Sequence, residues 1–291
     1  MLKGSLVALI TPFRGGALDE KAFQGFVDWQ IEQGTQGVVP CGTTGESPTL
    51  SHAEHKRVVE LCVEVARGRV PVIAGTGSNS TAEAIDLTRH AKEAGADAAL
   101  IVTPYYNKPT QEGLYLHYKA INDAIDLPII IYNIPGRCVI DMTVATMARL
   151  AKLPNIAGVK DATNDLARPL RTRRAVKDDF AMLSGEDATA LAFMAQGGDG
   201  CISVTANVAP RACADMHGAW QKGDAAAAMK INARLAPLHD ALFVETSPAP
   251  VKYACSLIGR STAEVRLPLA AASEQAQQAV RAAMRSAGVL N

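Results

Sequence analysis

The sequence predicts an α/β fold, a (β/α)8 TIM barrel with a C-terminal helical extension. Three observations predict it. Short apolar runs alternate with longer amphipathic ones along most of the chain. Eight such strand–helix units follow one another, an order that suggests a closed barrel rather than an open sheet. After about residue 223 the pattern changes to helix only. An open doubly wound sheet is the rival architecture, because repeated strand–helix spacing does not exclude it.

The candidate strands, in order, are SLVALI (Ser5–Ile10), GVVP (Gly37–Pro40), VPVIAG (Val70–Gly75), AALIVT (Ala98–Thr103), PIIIYN (Pro128–Asn133), IAGVK (Ile156–Lys160), AMLSG (Ala181–Gly185) and GCIS (Gly200–Ser203). Each is apolar on consecutive residues, as a strand buried on both faces should be. Helical periodicity fills the intervals, for example at Asp19–Gln33, Ser51–Arg67, Thr81–Glu93 and Gln111–Ala124. Gly34, Gly68 and Gly95 each follow the last periodic residue and read as helix stops. The barrel is therefore expected over 1–223. The extension is expected over 224–291, with helices at Asp224–Leu242, Pro250–Ile258 and Ser273–Ala287. No low-complexity linker precedes it, so it should pack on the barrel.

Composition narrows the function. A chain of 291 residues needs no staples, since roughly 75 % of the unfolded surface can be buried at this size. Lys+Arg and Asp+Glu both total 29, a balance that argues against nucleic acid or an acidic membrane recognised through bulk charge. None of the six cysteines lies in a C-x-x-C pair, which fits reduced thiols in a cytoplasmic protein. The apolar start MLKGSLVALITPF is interrupted by Pro12, lacks a small-residue cleavage site and is too short to span a bilayer. It reads as a buried strand.

In a barrel, function sits at the C-terminal ends of the strands. Those ends carry CGTTGE (Cys41–Glu46), TPYYNKPT (Thr103–Thr110), YNIPGR (Tyr132–Arg137), KDAT (Lys160–Thr163), Gly185-Glu186 and SVTAN (Ser203–Asn207). Lys160 ends an apolar strand. Most strand-end lysines merely reach solvent, but this one stands one step inside the rim, among phenols and hydroxyls. Burial disfavours the charged form of an amine, and a neutral amine can attack a ketone to form a Schiff base. Gly42-Thr43-Thr44-Gly45-Glu46 suits a tight strand-to-helix turn. It also offers closely spaced N–H groups and two hydroxyls, a nest for a small anion. Tyr132 reads either as a strand-end aromatic or as a proton carrier near a hydroxyl such as Thr43. Arg137 reads either as a surface ion pair or as a fork for a carboxylate.

Two motifs are set aside. GTGSNS (Gly75–Ser80) begins like a dinucleotide fingerprint, but Ser80 takes the third glycine's place. His52 and His55 have zinc-ligand spacing, yet Ser51 and Glu54 match a capping box, so a helix start is favoured. No metal-ligand cluster accompanies the strand ends. That leaves an amine mechanism rather than a Lewis-acid one.

CGTTGE, YYNKPTQEG, YNIPGR and GVKDAT occur in that order, and with them nearly the whole chain resembles the dihydrodipicolinate synthase / N-acetylneuraminate lyase family of class I aldolases. The resemblance implies that Lys160 forms a Schiff base with pyruvate. It places the pyruvate carboxylate on the Thr43–Thr44 amides and the Thr44 hydroxyl. It implies a relay of Thr43, Tyr132 and Tyr106, the last reaching in from a neighbouring subunit. Gly185 and Ile202 match positions that touch bound pyruvate. Arg137 matches the arginine that takes the carboxylate of L-aspartate 4-semialdehyde, a residue that sialic acid lyases generally lack. The implied product is 4-hydroxy-tetrahydrodipicolinate, in lysine and diaminopimelate biosynthesis. The implied assembly is a homotetramer, a dimer of dimers.

The resemblance also implies feedback by L-lysine at Ser47, His52, His55, Asn79, Glu83 and Tyr105, with Glu83 facing the ligand's ammonium. Pro48 departs from the family, where alanine is common. Two other readings stand beside this one. The chain could be a pyruvate-dependent aldolase on a sugar acid such as N-acetylneuraminate, against which Arg137 argues. It could also be a catalytically inactive binding barrel, against which Lys160, Thr43, Tyr106 and Tyr132 argue.

Overall fold

The computed structural model of the chain describes residues 2–290. In chain order come β1 (Gly4–Ala8), the hairpin strands β2 (Phe13–Arg14) and β3 (Ala17–Leu18), α1 (Glu20–Glu32), β4 (Gly37–Val39) and α2 (His52–Ala66). Then follow β5 (Ile73–Gly75), α3 (Thr81–Ala94), β6 (Ala98–Val102), α4 (Gln111–Ala124), β7 (Ile129–Asn133), α5 (Pro135–Cys138) and α6 (Val144–Leu150). Next are β8 (Ile156–Asp161), α7 (Arg168–Arg173), β9 (Ala181–Ser184), α8 (Ala190–Ala195) and β10 (Gly200–Ser203). The rest is helical, with α9 (Pro210–Gln221), α10 (Ala225–Ala241), α11 (Ala249–Leu257) and α12 (Glu274–Ser286). All strands but the hairpin belong to one eight-stranded sheet. This is the (β/α)8 barrel with a helical extension that the sequence predicts.

The chain divides into two compact units, a central one over Val72–Ile202 and a terminal one formed by Gly4–Pro71 with Ser203 onward. In the central unit the strands lie in the order β10-β9-β8-β7-β6-β5. Neighbours run parallel. Helices cover a parallel sheet, so its strands should be apolar throughout instead of alternating. Ile129, Ile130 and Ile131 of β7 bear this out, all fully buried on consecutive positions, each worth roughly 1.5–3 kcal/mol. The register sets Tyr132 of β7 beside Lys160 of β8, and Lys160 beside Leu183 of β9. Tyr132, Lys160 and Leu183 thereby come level across three neighbouring strands.

In the terminal unit β1 pairs parallel with β4, Leu6 beside Gly37. Asn207 braces β1 and its exit. Its Nδ2 donates to the Ala8 and Val204 carbonyls, both at 2.8 Å, and its Oδ1 accepts the Ile10 N–H at 3.0 Å. Helix α2 starts at the predicted capping box. The Ser51 hydroxyl accepts the Glu54 N–H at 3.2 Å, and the Glu54 carboxylate accepts the Ser51 N–H at 2.9 Å. Two features go beyond the sequence reading. The β2–β3 hairpin has strands of two residues, too short for any periodicity. Helices α5 to α8 span only four to seven residues each, below the window in which a helical repeat can be read.

Candidate active site

In the central unit, Lys160 is the fifth residue of β8 and is only 5 % exposed. Its Nζ lies 4.1 Å from the centroid of the Tyr132 ring, which is itself buried. A cation over an aromatic face is attracted by the ring quadrupole, so the pairing orients the amine. Gly185 follows β9, and its N–H donates to the Asp161 carbonyl at 2.7 Å. A Cβ there would stand 3.2 Å from Lys160 Cε and 2.7 Å from Ala162 Cβ. Glycine is what leaves the lysine its place. Ile202 of β10 is fully buried. Arg137, in α5, is exposed.

Charge around the amine is uneven. Burial pushes the Glu186 carboxyl up, with Lys160 pulling it back down, Asp187 adding to the rise and Arg137 also opposing it. Burial likewise pushes Asp161 up, against its hydrogen bonds from the Thr163 hydroxyl at 2.7 Å and the Thr163 N–H at 2.9 Å. Arg168 Nε stands 3.6 Å from Asp161 and Arg168 Nη1 donates to Asp141 at 2.8 Å. Asn133 Nδ2 donates to the same Asp141 at 2.8 Å. The residues just beyond Tyr132 and Lys160 are therefore tied together through Arg168 and Asp141. Sequence reading missed this brace, because Asp141 and Arg168 lie in unremarkable loop and helix segments.

The loops after β5 and β6 bring together three of the residues expected to bind a regulator. Asn107 Nδ2 donates to the Asn79 carbonyl at 2.9 Å. Ser78 Oγ hydrogen-bonds Glu83. Burial pushes the Tyr105 phenol up, with Glu83 adding to the rise and hydrogen bonds to the Asn79 backbone and Ser78 opposing it. Tyr106, next along, is 89 % exposed and takes a left-handed φ of 69°. A left-handed backbone is uncommon for a bulky side chain.

In the terminal unit the CGTTGE turn is closely determined. Gly45 N–H donates to the Gly42 carbonyl and Glu46 N–H to the Thr43 carbonyl, both at 3.1 Å. The Thr11 hydroxyl donates to the Gly45 carbonyl at 2.7 Å. Cys41 and Glu46, at the two ends, both take a φ of 55°. Thr44 is buried and Thr43 half-buried. The Glu46 carboxylate accepts Lys252 Nζ at 2.7 Å on one oxygen and the Arg266 N–H at 3.0 Å on the other. Neither side chain of the Lys252–Glu46 pair has any exposed surface. Sequence reading passed over Lys252; the available signal was a lysine inside the otherwise apolar helix APVKYACSL. Ser47 begins the short turn that contains Pro48. His52 is exposed at the first position of α2, and His55 is buried one turn on. Among the described residues, no group of three or more His, Cys, Asp or Glu could hold a metal ion. Among them, too, no helix is long and apolar enough to cross a membrane.

A buried amine stacked on a phenol at a barrel strand's end can carry out amine–carbonyl chemistry, the defining step of class I aldolases. Within that class, the chain belongs to the dihydrodipicolinate synthetase family, whose profile it matches over residues 1–287. It is 70 % identical over 290 residues to the 4-hydroxy-tetrahydrodipicolinate synthase of Rhodospirillum centenum, covering 100 % of both chains. Among solved structures it is similar to the chloride-inhibited dihydrodipicolinate synthase of Acinetobacter baumannii complexed with pyruvate. That likeness has a TM-score of 0.97 at 48 % identity and covers 100 % of both chains. It is also similar to the Cyanidioschyzon merolae enzyme with lysine bound, with a TM-score of 0.96, 39 % identity and 99 % of both chains covered.

Proposed function

We infer that this chain is an enzyme that condenses pyruvate with L-aspartate 4-semialdehyde by Schiff-base aldol chemistry, giving 4-hydroxy-tetrahydrodipicolinate for lysine and diaminopimelate biosynthesis. The observation that carries the assignment of roles is the Lys160 amine, buried and stacked on Tyr132 with Gly185 leaving it room.

The Lys160 amine attacks the pyruvate ketone, water leaves, and the resulting iminium acidifies the neighbouring methyl group. Thr43, Tyr132 and Tyr106 carry the proton away, a service worth typically ~10²–10⁴ in rate. The enamine carbon then bonds to the aldehyde carbon of the second substrate. Arg137 holds that substrate's carboxylate, which its exposed position on α5 allows. The second substrate's own amine closes the ring and releases Lys160. The amine is the electron sink, so the reaction needs no cofactor. Thr44, Gly185 and Ile202 seat pyruvate.

The exposure of Tyr106 supports its entry into a neighbouring subunit, and the family resemblance is what extends this to a homotetramer built as a dimer of dimers. L-lysine is the feedback ligand in this reading, at Ser47, His52, His55, Asn79, Glu83 and Tyr105. The cluster of Ser78, Asn79, Glu83 and Tyr105 supports it, as does the lysine-bound relative. The catalytic barrel spans 1–223 and the extension 224–291. A cytoplasmic setting accords with six free cysteines, all buried. A coupled assay with pyruvate and aspartate semialdehyde should turn over, while N-acetylneuraminate should not be cleaved. Cleavage of the sugar acid without condensation would replace this reading.

A further inference from the structure

A buried ion pair is a costly feature to place beside a turn. Taking two charges out of water costs several kcal/mol per ion unless geometry and further hydrogen bonds offset it. The Lys252–Glu46 pair has both. Its N–O distance is 2.7 Å, the second Glu46 oxygen takes the Arg266 N–H at 3.0 Å, and Lys252 Nζ lies 4.1 Å from the Phe13 ring centroid. The Arg266 guanidinium covers the same ring at 4.2 Å, and its Nη1 donates to the Thr49 carbonyl at 3.0 Å. Thr49 in turn donates its N–H to the Glu46 carbonyl, also at 3.0 Å.

Glu46 is therefore gripped at its carboxylate and at its carbonyl. Its own N–H is bound to the Thr43 carbonyl. It also holds a left-handed backbone that a non-glycine residue keeps only when its surroundings over-determine it. Two residues upstream stands Thr44. Two adjacent amides bind one carboxylate only if both N–H vectors converge, and a turn that wanders must be ordered again at each binding event.

We propose that Lys252, on α11 of the C-terminal extension, is a positioning residue for pyruvate. By clamping Glu46 it holds the Thr43–Thr44 amides in the carboxylate-binding arrangement. The proposal rests on the reading that these amides receive the pyruvate carboxylate. It goes beyond that reading in making the extension a determinant of substrate affinity. Arg266 completes the clamp from the following loop.

The test uses Lys252→Met, Glu46→Gln and the double variant K252M/E46Q in the full chain, with thermal unfolding and steady-state kinetics for each substrate. Each single change leaves a buried group without its counter-charge and lowers the melting temperature. The double variant carries no such charge and recovers most of it. The pyruvate KM should nevertheless stay raised in the double variant by about tenfold, the net worth of one charge-assisted hydrogen bond. The aspartate semialdehyde KM should remain at the wild-type value. If the double variant folds with a wild-type pyruvate KM, the clamp is structural only and the proposal is overturned. If both substrates' KM values rise together, Lys252 does not act on the pyruvate loop and the proposal is equally overturned. Failure of the underlying reading looks different: the wild type itself would not saturate with pyruvate.

Discussion

Replacing Gly185 with Ala should disarm Lys160 while leaving that residue itself unsubstituted. The new Cβ would stand 2.7 Å from Ala162 Cβ, where carbon atoms normally meet at about 3.5–4.0 Å. The overlap is thus close to 1 Å. Rotation cannot relieve it, because both Cβ atoms are fixed by backbone. Gly185 N–H is bound to the Asp161 carbonyl at 2.7 Å and Ala162 N–H to the Asn133 carbonyl at 2.9 Å. The same Cβ presses Lys160 Cε at 3.2 Å. Overpacking of this kind costs about 1–3 kcal/mol. At about 2–4 °C per kcal/mol, melting should fall by a few degrees. The catalytic loss should be larger in proportion, since a misplacement of about 1 Å costs on the order of 10²-fold. Circular dichroism melting and the condensation rate, measured on one preparation, would show a modest thermal shift beside a large loss in kcat/KM. Wild-type activity at an unchanged melting temperature would refute the packing argument.

Gly25 is the contrasting position, inside α1, where an added Cβ meets nothing within 4 Å. Gly25→Ala should stabilise the protein by about 0.5–1 kcal/mol in urea denaturation, and a loss would contradict the helix assignment. Burial holds the His117 imidazole down, from the ordinary 6.5 to about 4. The unfolded chain then takes up a proton that the folded one refuses, so stability should fall as pH drops from 6.5 towards 4. His117→Asn should flatten that part of the profile relative to wild type; parallel profiles would exclude His117 as the cause. Hydrogen bonding from Arg266 draws Glu54 down, from 4.5 to about 2. Its stabilisation is complete above pH 4.5 and should fade between there and about 2, and Glu54→Gln should remove that component. Millimolar L-lysine should slow the condensation, and Glu83→Gln should relieve the inhibition; a rate indifferent to lysine would contradict the regulatory reading.

The strands were legible because a parallel sheet covered by helices demands unbroken apolar runs, and PIIIYN and AALIVT supply them. The observed β7 and β6 begin and end within one residue of those runs. Ser51 and Glu54 announced the start of α2, since a capping box is a local device. Lys160 was legible for a related reason: a charged residue ending an apolar strand is a local contradiction that calls for an explanation. What stayed hidden is what depends on distance along the chain. Glu46 and Lys252 are separated by 206 positions, and nothing near either residue names the other. Asp141 meets Arg168 and Asn133 through loops whose paths no periodicity encodes. The β2–β3 hairpin was hidden for the opposite reason, being shorter than any repeat.

The most direct test of the account is borohydride reduction in the presence of pyruvate, followed by peptide mass spectrometry. The wild type should gain, on Lys160 alone, the mass of pyruvate less one water plus two hydrogens, and the Lys160→Ala variant should gain nothing. Equal labelling of the two proteins, or labelling of the wild type at another lysine such as Lys252, would contradict the assignment of the reacting amine.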